Sequence, residues 1–234
     1  MKISTLHVQG NRKNARQRSI LRWIVCALLL AGLTLTGCKN TGYRRSNRAS
    51  ANLESSAYRI ESAALRFDSA LAALDQLIQR PAQDLRPQFS QLSGEVKAAE
   101  SLPLAIDVAD RDMQSNSDAY FETWDKELTT IQNEFILAKS RTRKLEVLSE
   151  FNEARRHCAE VRTKLSPVLN DLKDVRNFLE SDLTAGGRAA ISDEAARLGQ
   201  AASPVRESVT RLVDELRALS SATSSRTPVV ESAK

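Results

Sequence analysis

The chain has 234 residues, of which 41% are apolar, 27% charged and 5% aromatic, with 8 Gly, 6 Pro and 3 Cys. That length suits one domain or two small ones, and an ordinary charged fraction argues against a wholly disordered chain. Few glycines and aromatics count against an all-β sandwich or barrel and leave little from which to build phosphate-binding loops, whereas abundant Ala, Leu, Ser, Arg and Glu favour helices.

Residues 1–37 hold six basic side chains (Lys2, Arg12, Lys13, Arg16, Arg18, Arg22) and no acidic ones, and they end in an apolar run from Trp23 to Leu35. A positive segment followed by an apolar stretch too short for a comfortable span of ~20 residues is the pattern of an export signal. The four residues Leu35, Thr36, Gly37 and Cys38 resemble the lipobox of bacterial lipoproteins. That resemblance implies that Leu35, Thr36 and Gly37 are read by the signal peptidase and that the Cys38 thiol receives a diacylglycerol. Removal of residues 1–37 leaves 28 basic against 29 acidic residues, so the formal charge of +5 becomes −1. The basic balance of the whole chain is then no argument for nucleic-acid binding. Lys39, in place of the Asp that tends to retain lipoproteins at the inner membrane, favours the outer membrane.

Residues 38–50 are polar, basic and aperiodic, and read as a lipidated tether in which Lys39, Arg44, Arg45 and Arg48 face either headgroups or solvent. A four-helix bundle is expected over 51–220. Helix A, over 52–79, carries the seam Leu53, Ala57, Ile60, Ala64, Phe67, Leu71, Leu74 and Ile78, stepping by threes and fours. Pro81 and Pro87 end it and open helix B. The stripe of helix B runs through Leu92, Val96, Ile106, Met113, Tyr120 and Trp124 to Ile131, Phe135 and Ala138, with a kink at 101–104 imposed by Pro103. A turn is expected within 139–144, capped by Ser140 or Thr142, the alternative being one continuous helix of ~95 residues. Helix C carries Leu145, Leu148, Phe151, Cys158, Val161, Leu165, Leu172 and Leu179, with a bend at Pro167. The glycine pair at 186–187 supplies a left-handed turn, and helix D runs from Ile191 to Leu219. Residues 221–234 read as a disordered tail. The fold class that follows is all-α, an elongated antiparallel helical bundle with coiled-coil-like packing, preceded by the signal peptide. Helices B and C are longer than A and D, so their hairpin should project as a tip, with Phe135 and Leu148 as candidate partner contacts.

Few constellations carry chemistry. No Glu-x-x-His pair exists and His157 is the single histidine after the leader, which excludes a ferritin-like di-metal site and leaves no metal ligand set. Glu153 and His157, four apart, read as a surface pair. Asp107, Asp110, Asp112, Asp118, Glu122 and Asp125 scatter around helix B and read as a solvated face. Cys158, alone once Cys26 leaves and Cys38 is lipidated, reads as a buried thiol with no bridge to form. Tyr120, Phe121 and Trp124 read as core.

The lipobox, the segment Tyr120–Leu128 and the segment Ser166–Leu179 together resemble the domain of unknown function 2959 family of bacterial lipoproteins, over about residues 40–220. The resemblance implies a helical periplasmic domain and carries over no catalytic residue. The expected function is that of a non-enzymatic, lipid-anchored scaffold, spacer or adaptor of the cell envelope. It would need no cofactor or nucleic acid, and it would partner the membrane and either another protein or itself. The alternatives are a bundle whose kinks open a lipid or small-molecule cavity, and a hydrolase using a serine with His157.

Overall fold

The computed structural model describes residues 42–225, and its described residues form helices and no strand. The helices are α1 (Gly42–Gln79), α2 (Arg86–Ala99), α3 (Ser101–Leu128), α4 (Glu134–Ser181), α5 (Ala185–Ala190) and α6 (Ser192–Thr223). Neighbours around the bundle run α1, α6, α4 and the consecutive pair α2–α3, which returns to α1. Each of these long neighbours is antiparallel to the next, so α1 and α4 share one direction and α3 and α6 the other. At 1.5 Å per residue, the 48 residues of α4 reach about 72 Å, and α6 with 32 reaches about 48 Å.

The seams read from the sequence form one continuous core. Ala57, Ile60, Leu77, Leu92, Ile106, Leu165, Leu172, Leu179, Leu198 and Leu216 are essentially shut off from solvent. Between the described ends of α1 and α6, the small pair Ser50 and Ser220 lets the helices approach, with Oγ to Oγ at 3.0 Å. The far end is closed by side chains that satisfy carbonyls at and just past the end of α1, which have no partner within the helix. Gln88 Nε2 donates to Arg80 O at 2.9 Å and Arg188 Nη1 donates to Ile78 O at 2.5 Å.

The expected kink is a break at Glu100, between α2 and α3. Pro103 sits in the first turn of α3 and has no N–H to offer the Ala99 carbonyl four residues back. Ser101 Oγ instead donates to Ala98 O at 2.6 Å. By contrast α4 and α6 are continuous through Pro167 and Pro204.

Four boundaries differ from those read in the sequence. Helix α1 starts at Gly42, inside the stretch read as tether, because Ala49 is buried and Arg45 and Ser46 find partners on α3 and α6. Helix α6 extends to Thr223, with Ser220 and Thr223 buried, and only 226–234 of the expected tail lies outside the described residues. The turn between the two long helices lies at 129–133, ten residues before the expected place. There Thr129 and Thr130 hydroxyls donate to the carbonyls of Lys126 and Glu127 at 2.7 and 2.8 Å, and Asn133 Oδ1 accepts from Ile136 N at 3.1 Å as the cap of α4. Ser140 and Thr142 lie within α4, and Leu145 is exposed while Val147 takes the buried place. Finally, no described glycine has positive φ. Gly186 and Gly187 form the first turn of α5, which Thr184 caps by accepting from Gly187 N at 3.0 Å. The requirement for glycine at 187 is space, since a Cβ there would lie 2.3 Å from the Asp182 carbonyl oxygen.

Candidate functional site

The turn between α3 and α4 presents the most exposed large apolar side chain at either end of the bundle. Phe135 is 72% exposed and Ile136 54%. Both sit in the first turn of α4, where the Asn133 cap fixes the helix before any neighbour packs on it. Lys139 lies one turn on, its Nζ 5.6 Å from the Phe135 ring centroid. Leu148, the other expected contact residue, is half-buried and packs against the core.

Beneath this turn lies an aromatic layer. Tyr120 meets Phe121 and Trp124 edge-on, at 5.2 and 5.6 Å between centroids, and Phe121 meets Phe151 of α4 edge-on at 5.9 Å. Edge-to-face pairs of this kind add to the energy of burial alone. Trp124 Nε1 donates to Ser140 Oγ at 3.0 Å. The guanidinium of Arg45 lies 5.2 Å from the Tyr120 ring and donates to both oxygens of Glu127, at 3.0 and 2.8 Å. Those hydrogen bonds hold the Glu127 carboxyl below its ordinary pKa. Burial pushes the Tyr120 phenol up. The layer thus ties the start of α1, the end of α3 and the second turn of α4 into one unit.

The carboxylates of α3 are less a solvated face than clamps. Asp110 binds Arg155 at 2.9 Å and Arg162 at 3.1 Å, Asp107 binds Arg162 at 2.8 Å, and Asp112 binds Arg59 of α1 at 3.0 Å. Glu122 and Asp125 also form ion pairs, with Lys126 and Lys144. Cys158 lies buried behind the Asp110 pairs. Burial, reinforced by the Asp110 carboxylate, pushes its thiol up to about 12. His157 does not pair with Glu153. Its Nδ1 meets Glu215 of α6, and Glu153 instead pairs with Arg156. The sequence could not show this contact, because Glu215 is on another helix.

Two spaces beside the long helices are small or open, and a third, of about 540 Å³, lies at the far end among Pro81, Asp84, Arg86, Leu183 and Arg188. A gap between α1, α3 and Phe151, lined by Ala49, Leu53, Ser56 and Met113, measures about 10 Å³, room for one water at most. An open trough of about 670 Å³ beside α6 is lined by Arg206, Glu207, Arg211, Asp214 and Glu215, a solvated charged surface. Among the described residues no group of three His, Cys, Asp or Glu side chains could hold a metal ion, and no helix is long and apolar enough to cross a membrane. Leu35, Thr36, Gly37 and Cys38 lie outside the described residues.

What this geometry defines is an all-α bundle whose helices are joined inside by a continuous apolar core and outside by ion pairs between them. Residues 36–225 match the family model described as "Protein of unknown function (DUF2959)", and the chain belongs to that family. No curated protein and no solved structure is matched by the chain.

Proposed function

We propose that this protein is a non-enzymatic lipoprotein of the bacterial cell envelope, anchored through a diacylglycerol on Cys38, that acts as a helical spacer or adaptor through its outer faces. The observation that carries this reading is the distribution of apolar side chains. The interior is filled from end to end by one packed cluster, while Tyr58, Leu65, Leu104, Phe135 and Ile136 stand exposed on the outside. Chemistry or ligand capture needs a shaped interior with convergent polar groups. A spacer needs length, stiffness and outward contacts. Three residues separate Cys38 from Gly42, where α1 begins, so the covalent link between anchor and bundle is short. An outer-membrane, periplasm-facing location follows from Lys39 under the sorting rule.

The test is in two parts. Labelled palmitate should enter the wild-type protein and not Cys38→Ala, and the variant should leave the membrane fraction. Photoreactive residues at Leu65 and Leu104 should then crosslink in cells to one partner at defined positions. A wild-type chain that takes up no label and stays soluble would refute the anchor, and turnover of a substrate by the purified protein would refute the non-enzymatic reading.

A further inference from the structure

The turn that joins α3 to α4 has a second property, its place relative to the chain that leads to Cys38. Arg45 near the start of α1 binds Glu127 in the last turn of α3, and Arg143 Nη2 donates to Ala222 O, at 3.4 Å, near the end of α6. Ser46 Oγ donates to Thr223 O. These contacts set Ser46 of α1 level with Arg143 of α4. Because α1 and α4 run in the same direction, both N-terminal ends leave the bundle on the same side. From Arg143 back to Phe135 is about 12 Å, and from Ser46 back to Gly42 about 6 Å, at 1.5 Å per residue. Phe135 and Ile136 therefore stand about 6 Å farther out than Gly42, on the side from which the chain departs toward Cys38. The covalent reach from Cys38 to Gly42 is at most about 14 Å.

We infer that Phe135 and Ile136 dip into the anionic lipid surface to which Cys38 is anchored, so that the α3–α4 turn is a second membrane contact that sets the bundle's orientation. This rests on lipid attachment at Cys38. Three features favour lipid over protein as the occupant. The apolar patch is two side chains at a tip, far below the 20–30 residues a side of a stable protein interface. The flanking charge is mostly basic, since Lys139, Arg141, Arg143 and Lys144 follow Phe135 within ten residues, against the single acid Glu134 before it. Arg143 and Lys144 are engaged with Glu146 and Asp125, while Lys139 and Arg141 form no ion pair among the described residues. An aromatic ring with a lysine ammonium 5.6 Å from its centroid is also suited to an interface, where the ring enters the acyl boundary and the ammonium stays among headgroups. A single lipid anchor leaves a rod free to tilt, and a second contact at the same end removes that freedom.

The experiment uses the full chain, lipidated in a bacterial host and reconstituted into vesicles of phosphatidylethanolamine and phosphatidylglycerol. An environment-sensitive fluorophore is placed at Ile136→Cys or Phe135→Cys, with Leu65→Cys as the exposed control. Buried Cys158 does not compete for label. The expected result is at least about twofold quenching of the 136 label by nitroxide lipids, little quenching at 65, and loss of the difference when Lys139 and Arg141 are both changed to Glu. Labels at 135 and 136 that are as open to aqueous iodide as the label at 65, on protein that floats with the vesicles, would overturn the inference and leave the anchor standing. Labels shielded from iodide but unquenched by nitroxide lipid would overturn it in favour of a protein contact. Protein that fails to float would refute the anchor itself.

Discussion

Replacing Gly187 with alanine should destabilise the bundle, while the same change at Gly94 or Gly199 should stabilise it. All three glycines are helical, and alanine gains about 1 kcal/mol over glycine in a helix interior. At Gly94 and Gly199 an added Cβ meets nothing within 4 Å, so that gain stands alone. At Gly187 the Cβ would lie 2.3 Å from the Asp182 carbonyl oxygen and 2.6 Å from its Cγ. The first of these is backbone, at the residue that ends α4, and moving it disturbs both the end of α4 and the Thr184 cap. Overpacking costs about 1–3 kcal/mol, and an overlap with backbone that cannot rotate away puts this case at about 2–3 kcal/mol, which leaves a net loss of about 1–2 kcal/mol after the propensity gain. For a chain of this size that is a fall in Tm of about 3–6 °C, against a rise of about 2–3 °C for the other two variants. Thermal unfolding followed by circular dichroism at 222 nm gives the comparison directly. Adding Asp182→Ala to the Gly187→Ala chain removes the side-chain overlap but not the backbone one, so most of the loss should remain. A Gly187→Ala protein as stable as Gly94→Ala would refute the reasoning, because the start of α5 would then adjust at no cost.

Other consequences concern single groups. The buried Cys158 thiol, raised to about 12, should resist alkylation by iodoacetamide at pH 8 in the folded protein and react in urea, as mass spectrometry would show. The Glu127 pKa is depressed in the folded state, so its contribution is present above the ordinary carboxylate value of about 4.3 and lost as pH falls through the lower folded value. A stability difference between wild type and Glu127→Gln, measured by urea unfolding at pH 7, should therefore shrink as pH falls below the ordinary carboxylate range, and since the side chain is 47% exposed, salt should shrink it as well. Asn133→Ala removes the side-chain cap of α4 and should cost about 1 kcal/mol in the same assay, with Asn133→Ser close to wild type.

The all-α class and most of the core were legible because burial follows a period the eye can count. Of the eight positions read along the first helix, Ala64 alone is not fully buried. The ends of elements were less legible, since each depends on partners distant in the chain. Residues 42–50 show no apolar stripe, yet they are helical, because Arg45, Ser46 and Ser50 meet Glu127, Thr223 and Ser220. Small and polar residues can bury a helix face as Ala or Leu does, but hydropathy does not report them. The α3–α4 turn holds neither Gly nor Pro, and Leu128, Ile131 and Phe135 keep the helical spacing straight through it. A local signal was nonetheless present: the pair Thr129–Thr130 lowers helix propensity, and Asn133 ranks at the top of N-cap residues, above Thr142.

The position of that turn fixes how α3 and α4 pair, and their seams alone would tolerate another pairing. Sliding α4 by 18 residues, about five whole turns, keeps the same face inward. Lys173 would then take the place of Arg155 beside Asp110, and Leu169 that of Phe151 beside Phe121, so one ion pair and the apolar contact would survive. Arg162, however, would be replaced by Glu180 beside Asp107, setting two carboxylates together where Asp107 and Arg162 now bond at 2.8 Å. Trp124 would meet Cys158 in place of Ser140 and lose an acceptor for its N–H, which now donates at 3.0 Å. A repeating apolar stripe selects the partner face, and it takes positions that do not repeat to select the register. Here those positions are Asp107, Trp124 and the Asn133 cap, and they place Phe135 at the tip of the hairpin instead of within the seam to which its spacing would assign it.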